Sequence, residues 1–175
     1  MKSLFALLFT FTLLSAQGYE YVVPEKVLQT RLAESFPITK QTLFVTIKIS
    51  DPQLILDGKK QRFNMKAKLQ IPNIQDTSGK VVSAKVSISS RIAYSKGGRL
   101  YLRKIKVVKI ESPYISKDME GMLYSTMNKA LNEYFKDEPI YNLEHEKGLI
   151  GAAVQSIKSV KIVDKGIKII FDLGV

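Results

Sequence analysis

The sequence predicts an α+β protein, in which one long helix covers the apolar face of several long antiparallel strands. Apolar residues alternate with polar ones through much of residues 42–110, a pattern typical of strands with one face on a core and one in water. Turn sequences rich in Gly, Asp and Ser separate these strands. The apolar period then changes to that of a helix between Lys117 and Lys136.

The first 18 residues have the layout of a secretory signal peptide. Lys2 precedes an apolar run from Leu4 to Leu14, and the segment closes on the small residues of Ala16-Gln17-Gly18. This run is shorter than the ~20 apolar residues that span a bilayer. We expect cleavage after Gly18, a periplasmic location, and a single domain over residues 19–175. A retained N-terminal anchor helix is the alternative.

The sequence contains no cysteine, which excludes disulfides and thiol catalysis. A lipoprotein carries its lipid on a cysteine at the cleavage site, so lipidation is excluded as well. We therefore expect the mature protein to be soluble in the envelope, or held to a membrane only by weak surface contacts.

The first predicted elements are a short helix and two strands. Pro24 suits the first position of a helix, which then runs to about Ser35. Alternating apolar residues predict a strand at Thr42–Ser50, with Phe44 as the exception to the alternation. A further strand is predicted at Gln53–Leu56.

Three longer strands follow. The cleanest alternation lies in Arg62–Ile71, and a similar pattern extends from Val82 to Tyr94. Ser95-Lys96-Gly97-Gly98 then predicts a hairpin turn into Arg99–Ile110. The apolar residues of this last strand change parity half-way, which predicts a bulge near Arg103-Lys104.

The long helix is predicted over Lys117–Lys136, with Ser116 as its N-cap and Pro139 beyond its end. The acidic Asp118 and Glu120 early in this helix suit the helix dipole. The remaining predicted elements are a short strand, a short helix and a closing hairpin, at Ile140–Leu143, Leu149–Ile157, and Val160–Val163 with Ile167–Phe171.

The stretch MNKALNEYFKDEPIYNL, residues Met127–Leu143, resembles the YceB-like family of Gram-negative envelope lipoproteins. The order of elements agrees, including LYLRKIKVVKI at Leu100–Ile110 and KGIKIIF at Lys165–Phe171. The resemblance implies a fold similar to the tubular lipid-binding (TULIP-like) proteins, in which a strongly curved antiparallel sheet wraps around the long helix. It supplies no catalytic motif, and the lipid-bearing cysteine of that family is missing here.

An apolar ligand cavity between the sheet and the long helix is the leading functional hypothesis, and the resemblance carries much of it. The ligand would be a lipid or another amphiphile, and flexible methionines would adapt to its shape. Ordinary core packing is the alternative role of the same side chains. The candidate lining residues are Phe63, Met65, Leu69, Val86, Ile88, Leu100, Leu102, Met119, Met122, Leu123, Met127 and Leu131.

Basic residues are concentrated in one half of the chain. Residues 59–111 hold fourteen Lys or Arg and two acids, a balance of 14 − 2 = +12. Such a face attracts an anionic membrane surface, lipopolysaccharide phosphates or other polyanions, whereas export and the absence of Trp disfavour nucleic acid. A solvated face that protects sheet edges is the alternative. The residues predicted to share this face are Arg62, Lys66, Lys68, Lys85 and Arg91.

The sequence favours a non-enzymatic protein. His145 is the only histidine, and no serine lies in a nucleophile-elbow pattern. We therefore expect no catalytic residues, no metal site and no cofactor. The competing hypothesis to ligand storage is a solid-core interaction protein that docks an envelope partner through its basic sheet face.

Overall fold

Two antiparallel sheets and few helices form the chain in a computed structural model, which describes residues 19–146 and 148–172. The predicted α+β class is therefore confirmed, and the fold is dominated by its sheets. The predicted signal peptide lies outside the described residues.

The larger sheet has six strands in the order β2-β3-β4-β5-β6-β7, and each pair of neighbours is antiparallel. All but the last pair follow one another along the chain through short turns. The strands are β2 (Ile38–Gln41), β3 (Thr46–Asp57), β4 (Arg62–Gln75), β5 (Val81–Tyr94), β6 (Arg99–Glu111) and β7 (Tyr141–Asn142).

The smaller sheet has three strands in the order β1-β9-β8, namely β1 (Tyr19–Pro24), β9 (Gly166–Phe171) and β8 (Ile157–Val163). The sequence predicted the closing hairpin but missed β1, which pairs antiparallel with β9 from Tyr19 opposite Phe171 onward. Strand β2 was missed as well. Both missed strands are short: β1 pairs with the distant β9, whereas β2 has four residues and pairs with the start of β3, at Thr46–Ile49.

Three α-helices accompany the sheets, and the longest is α2 (Lys117–Tyr134). Ser116 is its N-cap, as predicted, because its Oγ accepts a hydrogen bond from Met119 N at 3.3 Å. The helix ends two residues before the predicted Lys136. The others are α1 (Glu25–Glu34) and α3 (Leu149–Ala152), with 3₁₀ turns at Leu143–His145 and Val154–Ser156.

None of the helices in the described residues is long and apolar enough to cross a membrane. Pro24 precedes α1 as its N-cap residue and also ends β1, so it is not the first helical residue as predicted. The proline belongs to the strand because its neighbours in β1 pair with β9.

The bulge predicted in β6 is confirmed. Lys104 has a φ of 54°, and the register with β5 shifts between Ser89 and Arg91. The extra residue lets Leu102 and Ile105 both face the core although they have opposite parity.

A second bulge corrects the prediction of two separate strands at residues 42–56. Asp51 has a φ of 54°, and β3 continues through it as one strand. The amide of Gln29 on α1 supports this irregular segment, because its Nε2 donates to Pro52 O at 2.8 Å and its Oε1 accepts from Leu54 N at 2.7 Å. A side chain from a distant helix is thus what allows the strand to continue.

The core lies between the sheets and the helices. On β4 and β5 every second residue is buried, from Phe63 to Ile71 and from Val82 to Ser90. Helix α2 contributes a buried stripe that contains Leu123, Met127 and Leu131. This arrangement leaves the opposite face of the larger sheet open to solvent.

Asparagine side chains attach α2 to the edge of β6. Asn128 Oδ1 accepts from Val107 N, and Asn132 Nδ2 donates to Ile105 O, both at 2.8 Å. These bonds satisfy strand-edge groups that would otherwise be free to pair with another chain. At the other side of the helix, Lys40 on β2 forms a 2.8 Å ion pair with Glu133.

Candidate functional site

Two cavities open on the outer face of the larger sheet, the face opposite α2. They have volumes of about 910 and 590 Å³, and they share Lys66 and Ser87. We call the continuous depression that they form the basic groove. Its basic lining residues are Lys60, Arg62, Lys66, Lys68, Lys85, Lys104 and Lys106.

Strand alternation is the reason that these cations share one face. Lys66 and Lys68 alternate with the buried Met65, Ala67 and Leu69, so their side chains leave the sheet on the solvent side. Lys85 lies on the corresponding face of β5, between buried Ala84 and Val86. The hydrophobic pattern that builds the core therefore also builds the groove.

The centre of the groove has an unusual pairing of charges. Lys68 and Lys85 are opposite residues on β4 and β5, and both are exposed. Like charges directly opposite on a sheet are destabilising. Neither ammonium group forms an ion pair with a residue that the structure describes, so both remain available to an incoming anion.

Acidic residues at the rim balance only part of this charge. Glu111, opposite Lys85, forms a 2.7 Å ion pair with Lys109. The hydrogen bond from Lys109 lowers the pKa of Glu111 most, and the charges of Lys109, Lys85 and Lys66 lower it further. Glu111 therefore stays ionised at neutral pH, while Asp51 and Asp57 line the two ends of the groove.

The structure brings together most of the predicted basic face. Lys66, Lys68 and Lys85 are exposed and line the larger cavity, whereas the half-buried Arg62 lines the smaller one. Arg91 is exposed but lines neither cavity. Sequence reasoning left out Lys60, Lys104 and Lys106, although the parity change in β6 was a signal that Lys106 faces outward.

The predicted apolar lining residues belong to the core between the sheet and α2, although Met65, Val86 and Ile88 also border the two groove cavities. Ten of the twelve are buried, and Met119 and Met122 on the first turns of α2 are half-buried against the same core. Neither of the two groove cavities nor a third cavity includes a residue of α2. The third, of about 490 Å³, lies between the end of α1 and β3 and is lined by Phe36, Lys48 and Asp51 among others.

His145 lies exposed in a 3₁₀ turn, with its Nε2 3.3 Å from Asn142 Nδ2. Residues 19–146 and 148–172 contain no group of three His, Cys, Asp or Glu side chains placed to hold a metal ion. The basic groove is therefore the candidate functional site.

A family model described as a protein of unknown function, DUF1439, matches residues 23–165. The match extends from β1 through both bulges, the basic groove and α2 to the turn of the closing hairpin. No curated protein matches the chain.

Proposed function

Because the chain belongs to the DUF1439 family, whose function is unknown, we propose a function from the geometry of the chain itself. The protein is a non-enzymatic, exported envelope protein that binds an anionic membrane surface through the basic groove. The groove recognises the phosphate groups of lipid headgroups.

One observation carries this proposal: the exposed and unpaired lysines at the centre of the groove. Lys68 and Lys85 repel each other in the free protein, and Lys66 lies beside them on the same face. An anion placed between them removes this repulsion and gains several charge-assisted hydrogen bonds. Ser83 and Ser87, which also line the cavity, add hydroxyl donors for the same oxygens.

The expected strength of this attraction follows from the number of charges. A basic side chain near an anionic membrane surface contributes about 1 kcal/mol, and the attraction decays over a Debye length of ~8 Å at physiological salt. Several lysines acting together are therefore enough for reversible binding, and that binding is sensitive to salt.

The experiment replaces Lys66, Lys68 and Lys85 together by Gln. We expect wild-type protein to co-sediment at low salt with vesicles of phosphatidylglycerol and phosphatidylcholine, and the triple variant to lose most of this binding. A matched control replaces the exposed Lys26, Lys117 and Lys161 by Gln. These lysines lie outside the groove, so the control variant loses the same amount of charge.

Equal loss of binding in both triple variants would mean that total charge, not the groove, attracts the membrane. If wild-type protein shows no preference for anionic over pure phosphatidylcholine vesicles, the membrane proposal is wrong. An acidic envelope protein would then be the partner to test for the same surface.

A second proposal is an amphiphile held between the larger sheet and α2, in a TULIP-like arrangement. It is supported by the contacts of α2 with both β2 and β6, which are separated by three strands in the sheet order. Neighbouring strands are about 4.8 Å apart, so a helix about 10 Å wide touches both only if the sheet curves around it. These contacts support a TULIP-like arrangement, which the resemblance to the YceB-like family led us to expect.

A ligand would enter this space only if α2 moved outward, because Phe63, Leu123 and Leu131 are buried. The half-buried Met119 and Met122 mark the end of the helix where this movement would begin. Native mass spectrometry of protein purified without detergent tests this second proposal. A co-purifying lipid supports it, and clean spectra of the ligand-free mass from several preparations refute it.

A further inference from the structure

The turn between β2 and β3 holds two large apolar side chains in water. Leu43 is 96% exposed and the adjacent Phe44 is 79% exposed, whereas the next residue, Val45, is buried. No other large apolar side chain in the described part of the chain exceeds 54% exposure. We call Leu43 and Phe44 the apolar tip.

The backbone of this turn is ordered by hydrogen bonds from Thr42. Thr42 N and Oγ1 both donate to Val45 O at 2.9 Å, and Thr42 Oγ1 accepts from Val45 N at 3.1 Å. Phe44 N donates to the same hydroxyl at 3.4 Å. The two ends of the turn are thus tied together, and the residues between them are held away from the core.

This exposure is unfavourable for a protein that stays in water. Burying a Leu or Phe side chain gains free energy in proportion to the apolar area removed from water, and the tip gains little of it because most of its area is exposed. Single exposed apolar residues are common on surfaces. Two adjacent ones, projecting from a tied turn, form a contact that is unused in the free protein.

The charges around the tip indicate its partner. Residues 38–50 contain no acidic residue and carry two lysines, Lys48 and Lys40, of which Lys40 forms an ion pair with Glu133. Lys48 follows Phe44 by four residues, a distance of at most about 14 Å along the chain, and the groove cations Lys68 and Lys85 lie on β4 and β5 of the same sheet. Apolar groups flanked by cations match the boundary between acyl chains and anionic headgroups.

The same end of the larger sheet carries further exposed apolar side chains. Val81 at the start of β5 is 40% exposed, and Tyr114 after the end of β6 is 54% exposed. Tyrosine is enriched at the level of membrane headgroups because its ring is apolar and its hydroxyl is polar. The opposite end, which carries the turn at residues 95–98, also has an exposed aromatic residue, Tyr94 at 41%, but none of its described large apolar side chains is as exposed as Leu43 or Phe44.

We propose that Leu43 and Phe44 insert into the headgroup–acyl boundary of an anionic bilayer and that the protein sits on the membrane by this end of its sheet. The inference deepens the proposed function by naming the apolar half of the contact. A bilayer accepts a projecting pair of side chains without a preformed pocket. The groove supplies the salt-sensitive part of the binding free energy, and the tip supplies a part that salt does not screen.

The absence of tryptophan from the sequence makes a direct test possible. Phe44→Trp introduces a single fluorophore at the tip, and Tyr94→Trp introduces one at the opposite end of β5, where Tyr94 is also exposed. Vesicles of phosphatidylglycerol and phosphatidylcholine are added, some with a spin-labelled acyl chain as quencher. We expect a blue shift and quenching for Phe44→Trp and neither effect for Tyr94→Trp. The inference is overturned if both variants bind the vesicles and both keep the emission of protein in buffer.

A second measurement separates this inference from the proposed function. Leu43→Ser with Phe44→Ser should weaken binding about tenfold or more at every salt concentration, because apolar burial is not screened. The triple Gln variant of the groove should instead lose binding mainly at low salt. Normal affinity of the double Ser variant overturns the apolar tip but leaves the groove intact, while normal affinity of the triple Gln variant overturns the groove alone.

Discussion

Lys68 on β4 and Lys85 on β5 lie directly opposite each other on the solvent face of the larger sheet, where their charges repel. Glu111 on β6 lies opposite Lys85 on its other side and offsets only part of this repulsion, because it forms its ion pair with Lys109. The pair of lysines is the observation on which the proposed groove rests.

We expect Lys68→Gln to leave the melting temperature unchanged or to raise it slightly, because the substitution removes a repulsive cross-strand pair. The same variant should bind anionic vesicles more weakly. Thermal melts at low and high NaCl provide the measurement: salt should stabilise wild type more than the variant, since salt screens the repulsion that only wild type contains. A clear loss of stability in the variant would show that Lys68 has a structural role.

Met127→Asp should destabilise the fold by several kcal/mol. Met127 is fully buried on α2 between the helix and the sheet, where an unpaired carboxylate loses its hydration. Met127→Leu is the matched control, because a swap of similar volume costs less than about 1.5 kcal/mol. Denaturant melts measure the stability of both variants. Similar midpoints for the two would mean that the helix is not packed as described.

The two sheets are joined by Gln61, whose Nε2 donates to Ile162 O and whose Oε1 accepts from Ile162 N, both at 2.9 Å. Gln61→Met keeps the size of the side chain but leaves both backbone groups of β8 without this partner. We expect a loss of about 1–3 kcal/mol in the free energy of unfolding. Gln41→Met, at an exposed position on β2, is the control and should melt like wild type.

The long strands with one buried face and one solvent face were predictable. Alternation located β4, β5 and β6, and a parity change located the bulge at Lys104, because one buried face dictates where each apolar side chain points. The N-cap Ser116 was also predictable, because capping is a local interaction between residues close in sequence.

The features that depend on distant partners were not predictable from local pattern. Strand β1 exists because β9 pairs with it, and β3 continues through Asp51 because Gln29 on α1 bonds its backbone. The candidate site also contains both predictable and unpredictable features. Alternation placed Lys66, Lys68 and Lys85 on one face, but the exposure of Leu43 follows from a turn that the sequence interpretation included in a strand.

We expect export to remove Met1–Gly18. In the described residues the pairing of β1 with β9 begins at Tyr19 opposite Phe171, so cleavage of the bond before Tyr19 leaves all the described pairs of β1 in place. The intact mass of protein isolated from its native host measures this directly. A mature protein that begins at Tyr19 is the expected result, and a mass that includes residues 1–18 would contradict both the predicted cleavage and the periplasmic location.

The stability of the protein should fall at alkaline pH because of Tyr141. Burial raises the pKa of its phenol above the usual value of 10.0, and a hydrogen bond to Glu146 raises it further. A raised pKa in the folded state means that the stabilisation is fully present below the unfolded pKa and is lost as pH rises through the folded one. Denaturant melts between pH 8 and about 11 should show this decline in wild type and a shallower one in Tyr141→Phe, which has no phenolic proton to lose. Parallel pH profiles for the two proteins would mean that Tyr141 ionises as freely in the folded protein as in the unfolded chain.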